Sequence, residues 1–304
     1  MSKHLWPIAI CAALCGCDAG NYSNEDIDFQ LAVPQRQDIA VRLPAQALES
    51  NDSAEYYRNT RKTVRDLNNA ADAFVSLIDH VRATAPSERH PDRRVWGPFP
   101  VIENPLFLAR VVINRINQPG TPLRFSYSFE FRARADAADR WQVLISGEFI
   151  PAGDARHGTG LVHFSSAAAR AAGYPLGGLV GIDDLTIDYK TDGFPMTIRI
   201  GLTTFPELKM ATYEHTEQQD GSGSIHFVYP TPGVLGVDAL DTTSRWLGSG
   251  AGRADVRVSA GNPLVLNKSG TDCWGIDGRA TYVHRDWNMA AELGAESTCV
   301  FPAP

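Results

Sequence analysis

The chain has 304 residues, a formal net charge of -7 and five cysteines. An acidic chain without a basic block argues against nucleic acid or anionic lipid headgroups as charge-driven partners. A single domain of roughly 200 to 250 residues is ordinary for all-β architectures, and no break in composition forces a second one.

Met1, Ser2, Lys3 and His4 precede an apolar stretch from Leu5 to Leu14, and the chain turns acidic at Asp18, Glu25, Asp26 and Asp28. A positive n-region followed by an apolar h-region is the order of a secretory signal peptide. At roughly ten residues the stretch is too short for a membrane-spanning helix, which needs about 20, and Pro7 interrupts a core helix. The stretch closes on Leu14, Cys15, Gly16 and Cys17, which resembles the lipobox of bacterial lipoproteins: an aliphatic residue, two small ones and a cysteine. The resemblance covers only the leader. It implies a signal peptide over residues 1–16, cleavage before Cys17 and a diacylglycerol on the Cys17 sulfur. Each buried methylene contributes about 0.8 kcal/mol, so two or three chains anchor stably where one is marginal. The implied location is the cell envelope, membrane-anchored and facing the periplasm or exterior. Asp18 follows the lipidated position, which favours inner-membrane retention in some bacteria, so inner and outer membrane both stay open.

Cys11 and Cys15 leave with the leader and Cys17 carries lipid, so Cys273 and Cys299 remain. Two thiols in an exported domain predict a disulfide, worth roughly 3 kcal/mol in the chain-entropy model. Zinc would need further ligands, and only His284 lies between the two cysteines.

Residues 17–51 are expected to form a lipidated N-terminus and flexible tether, and residues 52–304 a single domain. A helix follows the tether, with Asp52 as N-cap and Glu55 three residues on as a carboxylate variant of the capping box. Tyr57, Val64, Leu67, Ala71, Phe74, Ile78 and Val81 form its apolar stripe. It stops before Pro86, and the run from Pro86 to Arg94 is polar and charged.

After Val95 the period is that of strands. Leu123, Phe125, Tyr127, Phe129, Phe131 and Ala133 alternate with polar residues, the pattern of a half-buried strand. Trp141, Val143, Ile145, Gly147 and Phe149 repeat it, as do Gly158, Gly160, Val162 and Phe164. A short Ala-rich helix fits between Ser165 and Gly173. Asp192 and Gly193 are a preferred two-residue turn pair; such a turn sets Tyr189 opposite Met196, Ile187 opposite Ile198 and Leu185 opposite Ile200. Asp220 with Gly221, and Asp277 with Gly278, mark two further hairpins. About ten strands with one long helix give a mainly β (α+β) fold: a strongly curved antiparallel sheet or open barrel, the N-terminal helix packed on its concave face, with a β-sandwich as the alternative. The arrangement is similar to the half-barrel of bacterial lipoprotein carriers, a likeness of architecture without a diagnostic motif.

Three constellations are candidates for chemistry. Asp184 and Asp188 would lie about 13 Å apart on a strand, beyond the reach of a glycosidase carboxylate pair, and Asp183 faces the other side. A two-residue turn at Asp220 and Gly221 would place His215 opposite His226 as two metal ligands or a pH-sensitive pair, but no third ligand is apparent. Gly248, Gly250 and Gly252 lack both P-loop and dinucleotide-fingerprint spacing and read as a turn. Trp141, Trp246, Trp274 and Trp287 are ligand-lining candidates that are more often core. No catalytic residue, metal or cofactor is assigned. The expectation is a non-catalytic envelope lipoprotein, membrane-held through Cys17, that binds a lipid or other hydrophobic ligand in an apolar concavity. The alternative is a structural or protein-partner-binding envelope lipoprotein.

Overall fold

The computed structural model describes residues 24–44, 53–78, 83–154, 156–206, 210–233, 236–261 and 263–303. Among the described residues there are four α-helices: α1 (Asn24–Leu31), α2 (Arg36–Ile39), α3 (Glu55–Ile78) and α4 (Ala167–Ala172). The strands are β1 (Glu88–His90), β2 (Arg93–Pro100), β3 (Phe107–Ile116), β4 (Arg124–Ala133), β5 (Gln142–Pro151), β6 (Gly158–Ser165), β7 (Ile182–Lys190) and β8 (Met196–Thr204). They continue as β9 (Met210–Glu217), β10 (Gly223–Gly233), β11 (Gly236–Trp246), β12 (Gly252–Ala260), β13 (Ser269–Trp274), β14 (Ala280–Arg285) and β15 (Leu293–Gly294).

All fifteen strands lie in one antiparallel sheet, each hydrogen-bonded to its neighbours in sequence. The two separate sheets of a sandwich are therefore not formed among the described residues. The sheet is not closed, and its edges are the shortest strands, three residues in β1 and two in β15. Short edges limit the unpaired backbone offered to another chain, and the three side chains of β1, Glu88, Arg89 and His90, are all exposed. The strand count exceeds the ten expected because the charged run before Val95 pairs as β1 and β2, and because the C-terminal strands are short.

One face of the sheet supplies the core. Phe125, Tyr127, Phe129 and Phe131 of β4 are buried, and they join Val162 and Phe164 of β6 and Leu185, Ile187 and Tyr189 of β7. The same cluster takes Val64, Leu67, Ala71, Phe74, Val75 and Ile78 of α3. A second cluster gathers Tyr56 and Tyr57 at the start of α3 with Leu240, Val256, Val258 and Trp274, so α3 ties both together. Close packing has a local requirement at Gly147, where an added Cβ would collide with the Tyr127 ring.

Several details differ from expectation. The expected tether is folded from Asn24 to Pro44, with α1 and α2 placing Phe29, Ala32, Val33, Ile39 and Val41 in the core. Its polar appearance misleads because two of its acids are themselves buried: Asp26 is paired with Arg94 at 2.7 Å, and Asp38 with Arg156 at 2.7 Å. Helix α3 begins at Glu55, and Asp52, the expected N-cap, lies outside the described residues, as does Val81 of the stripe. A carboxylate from another element serves the helix start: Asp272 of β13 accepts from the Tyr56 N–H at 2.9 Å.

The β7–β8 hairpin pairs Tyr189 with Ile198, Ile187 with Ile200 and Leu185 with Leu202. That is two residues from the two-residue-turn register, so the turn is longer while the period of two keeps apolar residues opposite apolar ones. In β5 a bulge opposite Phe129 and Glu130 reverses the alternation, burying Leu144 and leaving Val143 half exposed. The β9–β10 hairpin pairs His215 with Ile225 and His226 with Glu214. This one-residue difference puts the two histidines on opposite faces and removes the expected pair. Gly248 and Gly250 form the β11–β12 turn, closed by Leu247 N–H to Ala251 carbonyl at 2.9 Å. Trp246 and Trp274 are core residues. Cys273 and Cys299 are joined by a disulfide with Cα atoms 5.4 Å apart.

Candidate functional site

A meander of hairpins alternates its turns between the two ends of the sheet. The β2–β3 connection, the β6–β7 connection with α4, and the β8–β9 connection share one end. There the C-terminal turns of α3 approach the start of β3, and the space between them is incompletely filled. It forms a cleft of about 280 Å³, lined by Ser76 and Leu77 of α3, Phe99 and Pro100 of β2, residues 101–103 of the β2–β3 connection, Ala109 and Val111 of β3, Phe129 of β4, and Tyr174. Ala109, Val111 and Phe129 point there because they continue the buried alternation of their strands.

The lining is apolar except at three points. Ser76 donates its hydroxyl to the Ala73 carbonyl at 2.8 Å. Tyr174 packs its ring on Phe131 and Phe107, with centroids 4.5 and 5.5 Å away. Burial, with the nearby charge of Glu103 adding to it, raises the Tyr174 hydroxyl to about 12, so it stays a neutral donor at ordinary pH. Glu103 is exposed at the mouth and has no cationic partner among the described residues. It is flanked by Ile102 and Leu106, which are 81% and 71% exposed. The connection that carries them is held by the Asn104 side chain, which accepts from the Leu106 N–H at 3.2 Å. Among the described residues no lysine or arginine contributes to the lining.

A larger depression of about 350 Å³ lies at the other end of the sheet, but Asp28, Arg115 and Asp154 interrupt its apolar lining of Leu123, Phe125 and Pro151. It offers no continuous apolar surface.

The expected site residues fall elsewhere. Cys17 lies outside the described residues. Asp183 is ion-paired with Arg170, and Asp184 lies 2.9 Å from His163. His226 lies 2.7 Å from Asp241 on the outer face. His215 is buried, stacked on Trp246, with Nδ1 donating to the Ser224 carbonyl at 3.0 Å. Burial is the main cause that lowers His215 to about 4. Among the described residues no three His, Cys, Asp or Glu side chains gather as a metal site, and no helix is long and apolar enough to cross a membrane. The cleft was not anticipated as such, since its walls are contributed by five separate segments. A local signal existed in Val101, Ile102 and Leu106, apolar residues placed in a connection where polar turn residues are usual. No protein-family model matches the chain, and no curated protein or solved structure shows significant similarity to it.

Proposed function

We propose that the protein is a non-catalytic binding module for a hydrophobic ligand, carried on the cell envelope by lipid on Cys17, with the cleft between α3 and β2–β4 as its binding site. The observation that carries this reading is the cleft itself. It is concave and apolar, it has few polar groups, and its volume is near the lower end for small-molecule sites of roughly 300 to 1,000 Å³. On this reading the sheet curves around α3, which covers its concave face and leaves the cleft open at one end only. Burial of eight or nine methylenes at about 0.8 kcal/mol each yields roughly 7 kcal/mol before association costs. A weakly bound, exchangeable ligand suits that balance.

Native mass spectrometry of the protein purified without detergent tests this. A bound apolar molecule is expected, and it is expected to disappear in Ala109→Trp, which fills the cleft. A bare mass in the unsubstituted protein, or a ligand retained in Ala109→Trp, would refute it.

A second reading, docking of a protein partner, draws on a different observation. Ile102, Leu106 and Val180 in connections, and Met210 at the start of β9, are exposed apolar residues at the same end of the sheet. In-cell crosslinking from position 106 would then yield one defined protein neighbour, and lipid adducts alone would count against it.

A further inference from the structure

Resting on that binding reading, we infer that the cleft takes a single aliphatic chain bearing a cationic head, with the head at Glu103. The size of the cleft sets the first part. At about 30 Å³ for each water-sized group, 280 Å³ accommodates roughly nine such groups, which is one chain of about nine or ten carbons. The volume matches one chain rather than two.

Charge sets the second part. Among the described residues that line the cleft, Glu103 is the one charged side chain, and none is a lysine or arginine. Arg110 of β3 is paired with Glu130 at 2.6 Å, and Arg134, whose backbone N–H bonds the Leu106 carbonyl at 2.8 Å, is not part of the lining. A fatty carboxylate or a phosphate head entering here would face Glu103 without compensation, and the net charge of -7 carries the same sign. An ammonium head is attracted by both. Ile102 and Leu106 flank the carboxylate, so the first methylenes beside the head meet apolar surface.

Isothermal titration of the purified full-length chain at pH 7 and low salt, with decylamine, decanol and decanoate below their micellar concentrations, separates the possibilities. Decylamine is expected to bind at least about threefold tighter than decanol, and decanoate at least about threefold weaker, as for one charge pair at a partly exposed site. Salt should shrink both differences. Glu103→Gln should bring decylamine to the affinity of decanol, and Glu103→Lys should invert the order so that decanoate binds best. Both substitutions are at an exposed position, so circular dichroism should be unchanged. Equal affinities for decylamine and decanol, or an order that survives Glu103→Lys, would overturn the charge assignment while decanol binding upholds the apolar site. Absence of binding by all three would overturn both.

Discussion

Asp272 joins two parts of the molecule that are more than two hundred residues apart in sequence, and its removal should be among the most damaging single changes. Its side chain is fully buried. One oxygen accepts from the Tyr56 N–H at 2.9 Å, and the other lies 2.7 Å from the Arg285 guanidinium. Arg285 is 4% exposed and lies over the Tyr56 ring at 4.0 Å. Burial opposes the charge on Arg285, but the hydrogen bond and charge of Asp272 outweigh it and hold the guanidinium above its ordinary range. Asp272→Ala removes a helix cap, about 1 kcal/mol, and leaves a buried cation unpaired, about 3 to 5 kcal/mol. Glu55 at 3.5 Å compensates partly from a mostly exposed position. The expected loss is therefore about 3 to 4 kcal/mol, read as a lower urea midpoint with unchanged m. Arg285→Met in the same chain should recover at least half of that loss, because the stranded charge is gone and the arene contact remains. A cost below about 1 kcal/mol for Asp272→Ala, or a double variant as unstable as the two single costs added, would show that the pair does not join these elements as described.

Other outcomes follow from the same structure. Asp26→Ala should expose the segment 24–44 selectively, because Asp26 holds Arg94 at 2.7 Å and Arg89 at 3.1 Å; faster amide exchange confined to α1 and α2 is the expected readout. Reducing the Cys273–Cys299 disulfide, whose partners are 26 residues apart, should cost roughly 3 kcal/mol in the chain-entropy model, measured as a shift in urea midpoint. His215 is lowered to about 4 in the folded chain against about 6.5 when unfolded. The unfolded state thus binds the extra proton, so stability should be full above about pH 6.5, decline by up to roughly 3 kcal/mol as pH falls toward 4, and level off below. His215→Phe should flatten that profile. Cys17→Ala should move the protein from the membrane fraction to the soluble one while its circular dichroism stays the same; continued sedimentation with membranes would count against lipid attachment.

The parts of the fold that depend on neighbours in sequence were legible. Alternation placed Phe125, Tyr127, Phe129 and Phe131 on one face because each strand residue reports its own side. The short helix ending at Gly173 and the hairpins at Asp192, Asp220 and Asp277 were legible from turn residues. Turn length was not, and it decides register. Two extra residues at Asp192 left the faces matched, whereas one at Asp220 separated His215 from His226. A single bulge buried Leu144 in place of Val143. What escaped entirely was long-range: Asp26 with Arg94, Asp38 with Arg156, Asp272 with Tyr56 and Arg285. In each case a carboxylate is buried because its partner comes from a distant element. The cleft escaped for the same reason, its walls meeting only once α3 is laid against β2 to β4.

The central claim is that this cleft receives an apolar chain, and methyl-resolved NMR during a decanol titration tests it most directly. Shifts are expected at Leu77, Val101, Ile102 and Val111, with Leu185, Ile187 and Ile200 on the strands farther along the sheet unmoved. Shifts absent from the first group, or spread evenly over the core, would contradict the account.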